Sequence, residues 1–212
     1  MSRYSLEEQE QLASLKAFWA KYGNFILTVL ILVFGAFAIN NGWKWWQASQ
    51  SAEAVSAYEK LEAAIAQGDI SLVGEIQKTL IDDHSGTSYA ARGSLLAAKA
   101  LFDEGKLEEA KAPLQWTANE AKLDEYAATA RLMLAGILLE QGDFSAAKAT
   151  LEKNYVGFEG LFHDRLGDIA LAENDPATAR TQYEAALAKL QAESPWKQVV
   201  ERKISALPKT GE

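Results

Sequence analysis

The sequence predicts an all-α protein in which a single N-terminal transmembrane helix precedes an α-solenoid of helical hairpins that ends in a C-terminal capping helix. Three observations indicate this fold class. A long apolar run lies near the start of the chain, turn residues recur at regular spacing through the rest of it, and no repeated strand pattern is visible. The 212 residues include no cysteine, which excludes disulfides, thiolate metal sites and cysteine nucleophiles.

The apolar run covers residues 25–39, and eleven of its fifteen residues are Leu, Ile, Val or Phe. No charged residue occurs between Lys21 and Lys44, which leaves 22 uncharged positions. A helix needs about 20 such residues to cross a hydrocarbon layer of roughly 30 Å. The eleven apolar side chains favour insertion by about 3 to 7 kcal/mol before polar groups are counted. We therefore predict a transmembrane helix over residues 23–46.

The residues before this segment, 1–22, are predicted to form an amphipathic tail. Ser5 and Glu8 fit a capping box, in which the hydroxyl and the carboxylate accept hydrogen bonds from free amides at a helix start. Four apolar residues then follow at helical spacing: Leu12, Leu15, Trp19 and Tyr22. This stripe favours a helix over residues 5–22 that lies at the membrane surface over one that is merely solvated.

Basic residues near the two ends of the apolar segment predict its orientation. Arg3, Lys16 and Lys21 lie on the tail side, whereas Lys44 and then Lys60 follow on the far side. Because cytoplasmic flanks carry the excess of Lys and Arg, the tail is expected in the cytoplasm and the long domain outside. The predicted membrane-interface anchors are aromatic residues at both boundaries: Trp19, Tyr22, Trp43, Trp45 and Trp46. The last three would alternatively form a partner-binding patch.

A cleaved signal peptide is the alternative to a permanent anchor, since Ala36-Phe37-Ala38 resembles a small-x-small cleavage site. The segment before the apolar run is long, however, and contains Glu7, Glu8 and Glu10. Signal peptides usually begin with a short, positively charged segment. The flanking residues therefore favour an uncleaved helix.

The remaining residues, 47–212, contain a turn that recurs at a fixed period. It reads GKLEEA at 105–110, GDFSAA at 142–147 and NDPATA at 174–179, with a weaker copy, GDISLV, at 68–73. The first residues of these turns are spaced by 37, 37 and 32 positions. Gly and Asn enter the left-handed conformation at a helix end with little strain, so each turn is expected to join two helices.

Small residues recur where the two helices of each hairpin are expected to cross. The first helices supply Ala98, Ala135 and Gly167, and the second helices supply Ala110, Ala147 and Ala179. A large residue follows four positions later in each second helix: Leu114, Leu151 and Tyr183. Small residues let paired helices approach, and the large residue fills the groove beside them.

This pattern resembles the tetratricopeptide repeat, including the Leu166-Gly167 pair in a first helix and the aromatic Tyr183 in the second. The match is good over 161–192, fair over 91–155 and weak over 50–83, and the first helices lack the tryptophan and mostly the tyrosine of that repeat. Ser194-Pro195 predicts the start of a final helix. Apolar residues follow it at helical spacing, as a capping helix requires: Trp196, Val199, Val200, Ile204 and Leu207.

The sequence predicts no catalytic residues, no metal ligands, no cofactor and no small-molecule substrate. His84 lies in a polar turn and is expected to be solvated, while His163 is 79 residues away at the start of a first helix. Residues 47–212 contain 17 Lys and Arg against 26 Asp and Glu, a net charge of −9. A domain this acidic is a poor partner for nucleic acid.

A repeat domain of this type offers a concave surface lined by its first helices. The candidate protein-binding groove comprises Arg92, Lys99, Phe102, Asp103, Thr129, Leu132, Gly136, Leu139, Glu140, Asp164 and Asp168. In the alternative interpretation, Leu132 and Leu139 belong to the core between repeats.

The whole chain resembles the YfgM family of bacterial inner-membrane proteins, most distinctively at Tyr4-Ser5-Leu6-Glu7-Glu8-Gln9-Glu10 and Leu15-Lys16-Ala17-Phe18-Trp19. The resemblance implies a membrane-anchored, non-enzymatic ancillary subunit of the SecYEG translocon. It also implies a cytoplasmic N-terminus, a periplasmic repeat domain, contact with membrane lipid, and the periplasmic chaperone PpiD as a partner. Two other hypotheses are an envelope enzyme whose dispersed site includes His163, and a cytosol-facing scaffold of inverted topology.

Overall fold

The computed structural model describes residues 6–208, with side chains from Glu8 onward, and every regular element in this range is an α-helix. The all-α prediction is therefore confirmed, while Ser5 of the predicted capping box lies outside the described residues. The helices are α1 (Leu6–Gln67), α2 (Ile70–His84), α3 (Ser88–Asp103), α4 (Leu107–Glu120), α5 (Asp124–Glu140), α6 (Phe144–Thr150), α7 (Glu159–Ala172), α8 (Pro176–Lys189) and α9 (Trp196–Ala206).

The first helix, α1, is unbroken from Leu6 to Gln67, so the predicted tail helix and the predicted transmembrane helix belong to one element. The position of the tail at a membrane surface stays a prediction. The physical reason is that residues 6–67 contain no proline, and each of the three glycines, Gly23, Gly35 and Gly42, weakens the helix by only about 1 kcal/mol. The chain divides into two compact units between Gln50 and Ser51. The boundary falls inside α1, and no proline-rich or glycine-rich linker marks it.

Four helical hairpins follow the order predicted from the recurring turns. In the first hairpin, residues from the end of α1 share an apolar cluster with residues of α2. The others pair α3 with α4, α5 with α6, and α7 with α8. The turn residues Gly105 and Gly142 have φ angles of 74° and 76°, and Asn174, at 64°, takes the same left-handed conformation. The predicted role of these residues in ending one helix and allowing the next to start is confirmed.

An aspartate caps the second helix of three hairpins. The side chains of Asp69, Asp143 and Asp175 each accept a hydrogen bond from the backbone amide three residues later, at 3.1, 3.0 and 2.9 Å. Hydrogen bonds from Thr178 lower the pKa of the Asp175 carboxyl below its ordinary value. In the second hairpin, Lys106 occupies this position and supplies no such cap.

The second compact unit, Ser51–Glu212, is called the repeat unit below. Its core forms where the small residues were predicted to let paired helices cross. Every one of these six small residues is buried, and so are the large residues four positions later: Leu114, Leu151 and Tyr183. In the last hairpin, Gly167 of α7 lies directly against the Tyr183 ring of α8. This close approach is why the Leu-Gly pair occurs there.

The second helix of the third hairpin is much shorter than the others. α6 ends at Thr150, and the 151–158 segment is irregular until α7 begins at Glu159. Arg131 of α5 donates hydrogen bonds to the carbonyls of Thr150 at 3.2 Å and Ala118 at 3.3 Å, and to Tyr155 Oη at 3.0 Å. The bond to Thr150 satisfies a carbonyl at the end of α6 that a longer helix would have paired within itself.

The last helix, α9, covers the end of the repeat array as predicted. Val200 is fully buried, and Ile204 and Leu207 also join the apolar cluster around Tyr183 and Ala186. The helix begins at Trp196, one residue later than predicted, with Pro195 as the capping residue. The Trp196 amide donates to Ser194 Oγ at 3.4 Å.

Candidate functional site

A cavity of about 390 Å³ opens on the face formed by the first helices of three successive hairpins. Its lining residues come from α3, α5 and α7: Lys99, Phe102, Asp103, Met133, Gly136, Ile137, Leu139, Glu140 and Arg165. We refer to these nine residues as the groove cavity. Its floor is mainly apolar, and its charged side chains come from all three helices.

Six residues of the predicted groove line this cavity together: Lys99, Phe102, Asp103, Gly136, Leu139 and Glu140. They belong to adjacent first helices at comparable heights in their hairpins, which is where the repeat register placed them. Their assignment as a binding surface remains a prediction. The cavity residues Phe102, Met133 and Leu139 are only partly buried and also pack against the neighbouring apolar clusters, so the floor is continuous with the core.

Three predicted groove residues lie outside the cavity and contact other parts of the repeat unit. The Arg92 guanidinium lies over the rings of Tyr58 and Tyr89, at 5.0 and 5.6 Å from their centroids. Thr129 donates a hydrogen bond to the Glu125 carbonyl, and Leu132 packs against the apolar cluster of the third hairpin. The register of the repeat locates the first helices but does not fix which side chains reach the cavity.

The two predicted aspartates of α7 pair with the capping helix. Lys203 Nζ of α9 lies 2.7 Å from both Asp164 Oδ1 and Asp168 Oδ1, and the Tyr183 hydroxyl donates to the same Asp168 oxygen at 2.8 Å. Burial raises the pKa of the Asp164 carboxyl, although the hydrogen bond from Lys203 partly offsets that effect. Burial and the hydrogen bond to Asp168 raise the pKa of Tyr183. These aspartates therefore hold α9 in place.

Met133, Ile137 and Arg165 line the cavity but were not predicted from the sequence. Met133 and Ile137 lie three residues before and one residue after Gly136, so a helical projection of α5 would have placed Met133 beside it. Arg165 reaches the cavity from the next hairpin, across a contact between α5 and α7. No spacing within one helix indicates that contact.

The charged side chains of the groove cavity differ in how closely each is paired with an opposite charge. Lys99 and Asp103 form an ion pair at 2.6 Å on the exposed surface of α3. The Arg165 guanidinium lies over Gly136, within 3.6 to 3.7 Å of where a Cβ would be, and its nearest carboxylate oxygen is Asp168 Oδ2 at 3.8 Å. The first pair neutralises itself, whereas the second contact is too long for a hydrogen bond.

The predicted interface anchors are all exposed on α1: Trp19, Tyr22, Trp43, Trp45 and Trp46. Tyr22 and Trp43 are 21 residues apart, which corresponds to about 32 Å along a helix. This separation matches the roughly 30 Å thickness of a hydrocarbon core. Within the described residues, α1 is the one helix long and apolar enough to span a membrane, and its apolar window is almost wholly exposed.

The histidines do not meet each other or a cluster of acidic ligands. The prediction that His84 is solvated is wrong: it is only 8% exposed, because it falls in the last turn of α2 and packs inward. His163 is half-buried, with Nδ1 2.8 Å from Gln182 Oε1 of α8. Among residues 6–208, no three His, Cys, Asp or Glu side chains are placed to hold a metal ion.

Comparison with known proteins connects this geometry to a family. The model of the tetratricopeptide repeat-like domain family matches residues 16–209. The chain is 28% identical over 190 residues to a Haemophilus influenzae protein named ancillary SecYEG translocon subunit, covering 86% of this chain and 90% of that protein. A protein of the same name from Escherichia coli is 27% identical over 182 residues, covering 84% of this chain and 86% of that protein. One from Neisseria gonorrhoeae is 28% identical over 207 residues, covering 95% of this chain and 98% of that protein. The resemblance stated from the opening residues is confirmed.

Proposed function

The chain belongs to the tetratricopeptide repeat-like domain family, and we propose that it is a membrane-anchored, non-enzymatic adaptor of the bacterial protein-export translocon. The observation that carries this proposal is the extent of the similarity. The family match begins at residue 16, so it includes the apolar segment of α1 as well as the repeats. Translocon-subunit relatives match over 84 to 95% of the chain, which supports a shared arrangement of apolar helix and repeat unit.

The proposed domain organisation assigns residues 1–22 to the cytoplasm, 23–46 to the inner membrane and 47–212 to the periplasm. The exposed apolar face of α1 supports the membrane assignment, and the Lys and Arg bias at its ends supports the orientation. A tether of this kind raises the effective concentration of the repeat unit near a membrane partner, so a modest intrinsic affinity suffices for association.

The groove cavity is the proposed protein-binding surface of the repeat unit. Its residues come from three first helices, so a bound chain would contact several repeats at once, as in other solenoids. The translocon is the proposed membrane partner, and PpiD is the proposed periplasmic chaperone that the repeat unit engages. The chain would thereby link an export channel to a chaperone without catalysing a reaction.

Chemical crosslinking of membranes that contain the full chain tests the proposal. After detergent solubilisation and purification, we expect the translocon subunits in the crosslinked product. A matched control replaces residues 23–46 with the transmembrane segment of an unrelated single-span protein, and a lower yield is expected because only the general tether remains. Recovery of neither the translocon nor a periplasmic chaperone with the native chain would reject the adaptor function.

A further inference from the structure

We propose that the groove cavity binds an extended polypeptide segment in which a large apolar side chain is adjacent to a single Asp or Glu. The apolar side chain would lie on Phe102, Ile137 and Leu139, and the carboxylate would pair with Arg165. The inference rests on the proposed function, in which this groove is where a partner chain binds.

The position of Arg165 is the first step of the argument. Its side chain crosses from α7 to α5, and the guanidinium lies over Gly136, 3.6 to 3.7 Å from where a Cβ would be. Asp168 Oδ1 already accepts hydrogen bonds from Tyr183 and Lys203, and Asp168 Oδ2 is 3.8 Å from Arg165 Nη1. In the described part of the chain, the guanidinium therefore faces the cavity without a hydrogen bond.

A guanidinium that faces a cavity without a hydrogen bond favours a ligand that carries a carboxylate. Arg presents five N–H donors in a planar fork that matches the two oxygens of Asp, Glu or a chain terminus. Among the described residues, the carboxylate oxygen that lies within 4 Å of the Arg165 guanidinium is Asp168 Oδ2 at 3.8 Å, and the other oxygen of that group is bound by Lys203 and Tyr183. A bound segment that supplies a carboxylate would satisfy donors that otherwise depend on solvent.

The apolar floor beside Arg165 supplies the second half of the recognition. Ile137 is almost fully buried and Phe102, Met133 and Leu139 are half-buried, so the floor is firm and presents apolar surface to the opening. The cavity volume of about 390 Å³ lies at the small end of the range for ligand sites. It therefore suits one or two side chains of a longer segment.

The other charges limit the segment to a single acidic residue. Glu140 is exposed at the cavity rim, and residues 47–212 carry a net charge of −9, so a run of acidic residues would be repelled. At physiological ionic strength the screening length is about 8 Å, so a single carboxylate in contact with Arg165 responds mainly to that guanidinium. Glu140 lines the same cavity as Arg165, so its negative charge opposes that of a bound carboxylate.

Fluorescence anisotropy with three labelled peptides and the detergent-solubilised full chain tests the inference. The peptides share the sequence Gly-Ser-Leu-X-Leu-Ser-Gly, blocked at both ends, with X as Asp, Asn or Lys. We expect the Asp peptide to bind about tenfold more tightly than the Asn peptide, as a charge-assisted hydrogen bond implies, and the Lys peptide to bind most weakly. Equal binding of the three, tighter binding of the Lys peptide, or no binding would overturn the inference.

Variants then assign the preference to the groove. Arg165→Gln should remove the preference for Asp over Asn, and Glu140→Gln should tighten binding of the Asp peptide. Arg202→Gln is the matched control, because it removes the same charge from an exposed position on α9 and should leave the preference unchanged. A preference that survives Arg165→Gln would exclude this site.

The adaptor function and the peptide specificity can each be rejected without the other. If Arg165→Gln still crosslinks to the translocon while the native chain shows no Asp preference, the adaptor function stands and the peptide specificity is rejected. If the native chain recovers no translocon or chaperone but retains an Arg165-dependent Asp preference, the specificity stands and the adaptor function is rejected. A circular dichroism melt of each variant checks that it folds.

Discussion

Gly167 and Tyr183 pack directly against each other where α7 meets α8, and no room for even a methyl group remains between them. A Cβ placed on Gly167 would be 2.5 Å from Tyr183 Cδ1 and closer still to Cε1. Tyr183 is 1% exposed and its hydroxyl is held by Asp168, so the ring cannot move aside freely. The equivalent positions of the two preceding hairpins are filled by Ala with Leu, as in Ala135 and Leu151.

Gly167→Ala is therefore expected to destabilise the α7–α8 hairpin by about 1 to 3 kcal/mol, the usual penalty of overpacking a buried site. Hydrogen-exchange mass spectrometry of peptides from α7 and α8 measures the loss as faster exchange. The double variant Gly167→Ala with Tyr183→Leu restores the Ala and Leu combination of the earlier hairpins. It should be less destabilised than the sum of the two single variants, and strict additivity would contradict the explanation.

Gly136→Ala is the matched control for the same substitution. A Cβ at Gly136 would make only ordinary contacts, at 3.6 to 3.7 Å, with the Arg165 guanidinium. Removing a glycine from a helix interior should therefore stabilise α5 by about 0.5 to 1 kcal/mol. If Gly136→Ala and Gly167→Ala lost protection against hydrogen exchange equally, crowding against Tyr183 would not explain the destabilisation by Gly167→Ala.

Arg131 is predicted to hold the 151–158 segment in place. Replacing it with Met leaves the part-buried carbonyls of Thr150 and Ala118 without these donors, at a total penalty of about 1 to 3 kcal/mol. Limited proteolysis of Arg131→Met should cut first between residues 151 and 158. Tyr155→Phe removes one of the hydrogen bonds and should accelerate cleavage less. Unchanged proteolysis in Arg131→Met would refute this role.

The pair formed by Lys203 with Asp164 and Asp168 predicts a pH-dependent effect of Lys203→Met. Folding raises the pKa of Asp164 above its ordinary value of 3.8, chiefly by burial. An acid of this kind contributes stability below its unfolded pKa and loses it as the pH rises through the folded pKa. Without Lys203 the folded pKa rises further, so the variant should be destabilised by about 1 to 3 kcal/mol at pH 7 and by less at pH 4.5.

Thermal unfolding followed by circular dichroism at the two pH values measures this difference. Lys189→Met removes an exposed charge from the end of α8 and should give a similar, small effect at both. If Lys203→Met lost more folding stability at pH 4.5 than at pH 7, the assignment of Asp164 as the buried acid would be contradicted.

The orientation of the chain is predicted from the charges that flank α1. Alkaline phosphatase fused after Glu212 should be active, because that enzyme matures only outside the cytoplasm, and green fluorescent protein at the same site should remain dark. A phosphatase fusion placed after Lys21, before the apolar segment, is the matched control and should be inactive. Bright fluorescence from the fusion at Glu212 would reverse the topology and favour a cytosol-facing scaffold.

The turns and helix crossings could be predicted because they depend on residues close together in the sequence. A left-handed residue ends a helix wherever Gly or Asn occurs at the right place, as at Gly105 and Asn174. The spacing of small and large residues then identifies the crossing within each hairpin. The binding role of the groove remains a prediction, although six of its expected residues do line one cavity.

The features that escaped prediction depend on partners far apart in the chain. Arg165 contacts Gly136, which is 29 positions earlier in the chain, and Lys203 pairs with Asp164, which is 39 positions earlier. Arg131 likewise reaches Ala118, 13 positions before it, and Thr150 at the end of the short α6, 19 positions after it. Side-chain reach across helices is decided by packing, which local spacing does not record.

The sequence by itself determined that this protein is helical, that an apolar segment precedes a repeat array, and where each hairpin turns. Those properties follow from local backbone preference and hydrophobic periodicity, which act within one or two helices. Only the tertiary structure decided that Asp164 and Asp168 hold the capping helix. It also placed Arg165 in the groove cavity, because that position depends on how α5 and α7 pack.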